Sequence, residues 1–357
     1  MPRRTLNCVD LFAGAGGFSL AAREAGMRVE AAVEFNPKAC LTYRKNLVRR
    51  NGTRLYENDI LLLDPSKLTD EHFSAGKACD IVLGGPPCQG FSVHRINGAG
   101  VDDPRNKLIH RYFDFVRELR PKVFLMENVP GILWDRHKAF LREFYRSGAQ
   151  AGYDIQDPIV LDARDFGIPQ RRKRVFILGI RSDFQLDLIW PPAPTHGDTK
   201  AIQNNPALRP WVPSASVFNR PTDPQDPNDV HMQHGPELVA VFRSTPSNGG
   251  SRGDSSRVLA CHADHDGHKD VYGRINPREP GPTMTTACIN PSKGRFVHPT
   301  KHHGITVRHA ARFQTFPDTF IFEGGLMAAG EQIGNAVPIE LGKVLLTHIK
   351  RSISATL

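Results

Sequence analysis

A cysteine held behind two prolines is the residue of this sequence best prepared for covalent chemistry, in Gly84-Gly85-Pro86-Pro87-Cys88-Gln89-Gly90-Phe91-Ser92. The prolines fix the backbone so that the next side chain is held rigidly, and the glycines after it free the following loop. A thiolate is strongly nucleophilic even when only partly populated, which makes Cys88 a candidate nucleophile. A lone cysteine is otherwise a buried core thiol, the reading given to Cys79 in the preceding strand pattern. Met126-Glu127-Asn128-Val129 closes another apolar run. In open parallel sheets ligands sit outside the carboxyl ends of the strands, so Cys88 and Glu127 are expected to converge from separate strands. Gln170-Arg171-Arg172-Lys173-Arg174 reads blandly as a solvated basic turn. Side chains alternate along extended backbone, however, so Arg172 and Arg174 share one face there.

A ligand-binding loop is expected at Asp10-Leu11-Phe12-Ala13-Gly14-Ala15-Gly16-Gly17, between a strand and a helix. Glycines let backbone approach a ligand closely, and the helix N-terminus adds a positive end. A dinucleotide fingerprint would carry a third glycine three residues after Gly16, where this chain has Ser19, which counts against NAD and an oxidoreductase. Glu34 ends the second strand pattern, and an acid there can accept two hydrogen bonds from the ribose of any adenosine cofactor. Asp59, in Asn58-Asp59-Ile60, is expected at the end of a third strand, where it can meet an adenine edge.

These residues need elements to position them. From Asn7 to Ile180 short apolar runs alternate with helical patterns, which predicts an α/β domain with a mainly parallel sheet. Strands are expected at Cys8–Phe12, Val29–Val33, Asp80–Leu83, Val123–Met126 and Arg174–Ile180, and helices at Ser19–Gly26, Pro37–Arg50, Lys107–Arg120 and His137–Gly148. After Ile180, from Trp190-Pro191-Pro192-Ala193-Pro194 onward, proline, glycine, asparagine and aspartate dominate. A loop-rich, mainly β module is expected there. Helical spacing returns at Thr306–Thr315 and Pro338–Ile349, so the expected division is 1–181, 182–305 and a segment 306–357 returning to the first domain.

The composition narrows the function classes. With 357 residues, 39% hydrophobic and 23% charged, the chain can bury a sizeable core. No apolar run approaches the roughly 18 residues of a membrane span, and MPRRTLNCVD lacks a signal-peptide stretch, so a cytoplasmic protein is expected. Six cysteines without a C-x-x-C pair imply neither a disulfide framework nor a four-thiolate zinc site. Cys261, His262, His265 and His268 lie close together but match no common closed zinc pattern, and no metal is expected. The formal charge of +9 fits a polyanionic partner. It is +7 over residues 1–180, zero over 181–300 (12 basic, 12 acidic) and +2 over 301–357.

Taken in order, DLFAGAGG, VEFNP, GGPPCQGFS, FLMENV, QRRKRVFILG, RHAARFQTFPD and IGNAVP make the chain resemble the DNA (cytosine-5) methyltransferases over nearly its whole length. The resemblance implies a doubly wound, Rossmann-like catalytic domain dependent on S-adenosylmethionine and a smaller target-recognition domain. It implies that Cys88 adds to carbon 6 of a cytosine flipped out of duplex DNA and that Glu127 holds the ring N3 and amine, with Arg174 and nearby Arg172 on the base oxygen. It implies a mobile loop at Gly90–Gly100. Phe12 and the Ala13, Gly14, Ala15, Gly16 and Gly17 backbone would surround the methionine part, Glu34 the ribose, and Phe35, Ile60 and Asp59 the adenine. Pro86, Leu108, Asn335 and Val337 would complete that set. A restriction endonuclease acting separately is the implied partner in function, with a monomeric, nucleoid-associated enzyme.

The chain departs from the family at His309, where glutamate is usual, a change expected to touch packing more than catalysis. A transfer RNA methyltransferase of similar architecture would carry a Cys-Phe-Thr signature, absent here, and an inactive DNA-binding relative would have lost Cys88 or Glu127. In the module after Ile180, Ser247-Asn248-Gly249-Gly250-Ser251-Arg252-Gly253 has the residues of a base-reading loop or of an ordinary surface loop.

Overall fold

The structure, a computed structural model, describes residues 4–48, 52–74, 76–86, 104–255 and 270–356. The chain forms two units: Met1–Leu161 with Lys173–Ala193 and Leu341–Leu357, and Asp162–Arg172 with Pro194–Glu340.

In the first unit the strands are β1 (Asn7–Leu11), β2 (Arg28–Val33), β3 (Arg54–Tyr56), β4 (Ile81–Gly84), β5 (Val123–Asn128), β6 (Tyr153–Ile155), β7 (Ile159–Asp162) and β8 (Lys173–Arg181). Its helices are α1 (Gly17–Glu24), α2 (Pro37–Tyr43), α3 (Ser66–His72), α4 (Pro104–Leu119) and α5 (Lys138–Gln150). Every residue of β1, β4 and β5 is buried. Strands covered on both faces need no polar alternation, which is why they read as unbroken apolar runs.

The sheet order is β3-β2-β1-β4-β5-β8-β6, with β7 paired to β8. Pairing from β3 through β5 is parallel, and β8 runs antiparallel to β5 and β6. The expected α/β fold with a mainly parallel sheet is therefore observed. The chain runs outward from β1 to β3, then returns to place β4 on the other side of β1, which puts a topological switch point between β1 and β4. Strands β6 and β7 and helix α3 were not expected, because three- to seven-residue elements are too short to display a period; the third strand expected to end at Asp59 is β3, which ends at Tyr56. The helix expected over Pro37–Arg50 ends as α at Tyr43 and continues as a π-helical turn, Arg44–Val48.

Register does the positioning. Val33, Leu11, Gly84, Met126 and Ile177 are paired in one row across β2, β1, β4, β5 and β8. One residue beyond that row stand Glu34, Phe12, Gly85 and Glu127, so four separate segments deliver their next residue to one edge of the sheet. Beneath it, Tyr112 and Phe113 of α4 pack with Phe124 and Phe144, the Phe113 and Phe144 ring centroids 4.9 Å apart. Burial of each such ring contributes about 1.5–3 kcal/mol. Gly84 is part of that packing, since a Cβ there would stand 2.6 Å from Tyr112 Cε2.

The second unit contains α6 (Thr199–Asn204), α7 (Ala215–Phe218), α8 (Pro236–Ser244), α9 (Val307–Phe313) and α10 (Leu326–Asn335). Helix α11 (Ile339–Thr356) leaves it and ends in the first unit, where Lys350 Nζ donates to Ala25 O at 2.9 Å and Gly26 O at 2.7 Å. A mainly β module was expected here, and the described residues correct that. Their paired backbone is β9 (His196–Gly197) against β10 (Arg209–Pro210) and three isolated bridges. Prolines remove ladder donors and fix turns, so little sheet forms.

Buried arginines bind the carbonyls that a sheet would otherwise satisfy. Arg274, fully buried, donates to Thr245 O (3.0 Å), His298 O (2.8 Å), Lys301 O (2.6 Å) and Phe242 O. Arg312 reaches Val217 O, Arg220 O and Pro221 O. Arg308 pairs with Asp226 and donates to Phe320 O. Arg295 binds Gly249 O and Gly250 O, so the Ser247–Gly253 loop is pinned from inside.

Candidate active site

At the end of β1 the backbone turns sharply. Phe12, Gly14 and Gly16 all have positive φ (60°, 55° and 95°), and Gly16 caps α1. A Cβ on Gly16 would fall 2.1 Å from Leu47 Cδ1, whereas one on Gly14 would meet no atom within 4 Å. Glycine at 16 thus allows helix packing, while Gly14 leaves open space over the loop. The Glu34 carboxylate ties this loop to the next one. It accepts from Gly14 N at 2.7 Å through Oε2, and from Phe35 N (3.0 Å) and Asn36 N (2.7 Å) through Oε1. Phe35 is 63% exposed, and Ile60 is buried. Asp59 Oδ1 accepts from Leu61 N at 2.9 Å.

Ser19, the residue that breaks the dinucleotide pattern, has its own task. Its hydroxyl donates to buried Asp10 Oδ2 at 2.6 Å and accepts from Tyr43 OH at 2.7 Å. Burial pushes the Asp10 carboxyl up to about 7, against the opposing pull of the Ser19 hydrogen bonds. Sequence reading missed Tyr43 and read Ser19 only as a departure; an acid inside an apolar strand is the signal that a buried partner is needed.

At β4 and β5 the second half of the edge is assembled. Arg174 Nε lies 3.0 Å from Glu127 Oε1, and both side chains are nearly buried. Arg174 Nη1 also donates to Lys173 O at 2.8 Å. A Cβ on Gly85 would stand 3.4 Å from Glu127 Oε2, so the backbone just before Pro86 passes beside that carboxylate. Asn128 Nδ2 donates to Pro86 O at 3.3 Å, tying the two strand ends. The segment from Pro87 through Cys88 and the Gly90–Gly100 loop lies outside the described residues, as do Cys261, His262, His265 and His268. Among the described residues no group of three or more His, Cys, Asp or Glu could hold a metal ion. Leu108 lies partly buried on α4.

Arg172 and Arg174 differ in their partners. Arg172, in the second unit, is fully buried and donates to Met284 O (2.8 Å), Gly334 O (2.7 Å) and Ala336 O (2.9 Å). Gln314 Nε2 donates to Ile333 O (2.6 Å) and the same Ala336 carbonyl (2.9 Å). A Cβ on Gly334 would sit 2.3 Å from the Thr285 carbonyl carbon. The backbone around Asn335 and Val337 is therefore gripped on three sides within the second unit.

A family model, C-5 cytosine-specific DNA methylase, matches residues 6–351. The chain is 31% identical over 350 residues to the type II methyltransferase M1.HphI of Haemophilus parahaemolyticus, covering 96% of this chain and 86% of that one. It is 31% identical over 361 residues to the type II methyltransferase M.MthTI of Methanothermobacter thermautotrophicus, covering 99% of each. Among solved structures, a DNA modification methyltransferase encoded within an E. coli prophage superposes with a TM-score of 0.70 at 27% identity, over 98% of this chain and 99% of that one. A DNMT2 mutant of Spodoptera frugiperda shares the fold at a TM-score of 0.64 and 16% identity, over 97% and 100%.

Proposed function

Because the chain belongs to the C-5 cytosine-specific DNA methylase family, we propose that it methylates carbon 5 of a cytosine turned out of duplex DNA, using S-adenosylmethionine and a covalent Cys88 adduct. The Glu127–Arg174 pair, beside the glycine that leads into the Pro-Pro-Cys segment, is the observation that carries this reading.

S-adenosylmethionine fits the residues of the first unit. The open space over Gly14, the acid at the end of β2 and the exposed ring of Phe35 are what its methionine, ribose and adenine parts require. When bound, the cofactor supplies a methyl group on an electrophilic sulfonium. Phe12 and the Ala13–Gly17 backbone surround its methionine part, Glu34 accepts from the ribose, and Phe35 and Ile60 flank the adenine, with Asp59 on the amine. Pro86 and Leu108 line the remainder, and for Asn335 and Val337 the role rests on family resemblance.

Carbon 5 of cytosine is a poor nucleophile until carbon 6 is saturated. The Cys88 thiolate adds to carbon 6, and the displaced ring electrons are accommodated as Glu127 delivers a proton to N3. Carbon 5, now part of an enamine, would take the methyl group from the sulfonium, whose sulfur keeps the bonding pair as S-adenosylhomocysteine leaves. Loss of the carbon 5 proton to solvent then expels the thiolate, and the N3 proton returns to Glu127, which restores the neutral aromatic ring. Arg174 orients Glu127 through its Nε and stands ready to donate to the base oxygen, a charge-assisted contact. A base inside the stack cannot present both faces of its ring, so extrusion is required, at a cost of a few kcal/mol. The second unit is read as the target-recognition domain, and the type II relatives support a protective role beside a restriction endonuclease.

The deciding experiment incubates the protein with S-adenosylmethionine and plasmid DNA and maps 5-methylcytosine at base resolution. Modification of one cytosine in one recurring sequence is expected. Methyl transfer to transfer RNA alone, or none in a protein that binds the cofactor, would overturn the reading.

A further inference from the structure

Helix α4 sets one arginine against the turn that carries Asp59 and Ile60. Arg111 Nε donates to Ile60 O at 2.8 Å and Nη2 to Leu63 O at 2.5 Å. Its Nη1 donates to Asp114 Oδ2 at 3.1 Å, and the Phe115 ring lies 5.4 Å from the guanidinium carbon. One planar fork thus holds two carbonyls at the two ends of a four-residue turn, while a carboxylate one helical turn along fixes the fork itself. The turn stands between β3, which ends at Tyr56, and α3, which begins at Ser66, so no strand ladder holds it. Its internal bonds are Leu61 N to Asp59 Oδ1 and Leu62 N to Asp59 O, both at 2.9 Å. Those bonds shape the turn; the buried side chains of Ile60 and Leu63 seat it in the core, and the Arg111 fork fixes its carbonyls.

We infer that Arg111 is a positioning residue for adenine recognition, fixing the turn so that the Asp59 carboxylate and the Ile60 side chain stand where the amine and the ring face arrive. The inference rests on the cofactor reading given above and deepens it. Leu108, assigned to the same cofactor, lies three residues earlier on α4, so one helix face sets two walls. Lysine could not replace the arginine, because a single ammonium on a flexible stem cannot span two diverging carbonyls in a fixed plane.

The test compares two ligands that differ only at the purine edge, S-adenosylhomocysteine and S-inosylhomocysteine, whose carbonyl oxygen would face the Asp59 carboxylate. Their dissociation constants are measured by calorimetry for the unsubstituted chain, Arg111→Met and Arg111→Lys. The unsubstituted chain is expected to prefer the adenosyl compound. In Arg111→Met that affinity falls about tenfold, as for the loss of charge-assisted bonds that hold a binding group in place, while the inosyl affinity barely moves. Arg111→Lys loses part of the preference. An unchanged preference in folded Arg111→Met overturns the inference, and so does an equal loss for both ligands, which marks a general structural staple. If Arg111→Met does not fold, Asp114→Asn, which keeps the arginine and removes its orienting carboxylate, is read by the same two outcomes. If the unsubstituted chain binds neither ligand, the cofactor reading fails and takes this inference with it.

Discussion

The two units satisfy their buried backbone in different ways. In the first, ladders from β3 to β6 pair the strand carbonyls. In the second, with little ladder among the described residues, guanidinium groups of Arg172, Arg274, Arg308 and Arg312 take that part. Arginine therefore has two distinct roles in this molecule. Arg174 pairs with the Glu127 carboxylate at the strand ends, where the proposal above sets it against the substrate, whereas the buried arginines of the second unit are internal donors. Over 181–300 the formal charge is zero, and there Arg274 lies inside and cannot meet a phosphate, just as the Asp226 side chain is buried against Arg308. Attraction for DNA must then come chiefly from the catalytic segment.

If that division holds, substitutions in the first unit remove rate at constant stability, and those in the second remove stability first. The largest effect is expected from Cys88→Ala. Methyl transfer should fall by at least about a thousandfold, as for loss of a nucleophile, with cofactor affinity within about twofold in calorimetry. Retained transfer would remove Cys88 from the chemistry. Glu127→Gln should lower kcat about a hundredfold to ten-thousandfold, the range for a lost general acid. Its denaturant midpoint should scarcely change, because the amide still accepts from Arg174.

Arg274→Met probes the other side. Removing one guanidinium that serves four carbonyls leaves them buried without donors, a loss of about 3–5 kcal/mol. Amide exchange should show it across 194–340, while β1, β4 and β5 keep their protection. A loss below about 1 kcal/mol would mean that carbonyls in the second unit find other partners, and the contrast between the units would not stand.

How much of this was legible in the sequence follows the same line. Strands β1, β2, β4, β5 and β8 were readable because burial on both faces leaves an apolar run, and Phe12, Glu34 and Glu127 because each ends one. The row that brings them together was not, since register is set by pairing between distant segments. The arginine network was invisible for a related reason: Arg274 in Tyr272-Gly273-Arg274-Ile275 looks like any solvated arginine until the end of α8 and the segment from His298 to His302 close around it. Gln170, which donates to Phe313 O at 2.9 Å and Gln314 Oε1 at 2.8 Å, and Gln314 were equally silent. Arg172 was read with Arg174 from strand alternation, yet it lies just before the first residue of β8, where the chain passes into the other unit.

His309 allows the contrast to be carried to pH. It is the N3 residue of a capping box at α9, where its Nδ1 lies 3.3 Å from Thr306 N and 3.0 Å from Thr306 Oγ1. A neutral imidazole can accept where glutamate usually would, so the departure keeps the cap and removes a charge. Burial lowers its pKa to about 4; Asp229 opposes this, and Arg312, Lys301 and His303 add to it. Neighbouring His298 is lowered to about 3, also by burial first. In both cases the unfolded chain binds more protons between about pH 4 and 6.5, so stability is present above the unfolded value and lost as pH falls. Asp10 in the first unit runs the other way. Its folded value of about 7 lies above the ordinary carboxyl, so its contribution is complete near pH 4 and lost as pH rises through 7. Amide exchange followed from pH 4 to 7.5, corrected for intrinsic rates, should show the second unit gaining stability, a gain that His309→Gln reduces while His298 keeps its own share. Glutamine keeps the cap acceptor and cannot titrate, and its cost at pH 7.5 should stay within about 1 kcal/mol. Asp10→Asn should remove an opposite slope from β1 and α1. Slopes of the same sign in both variants would mean that neither buried group governs its unit's response to pH.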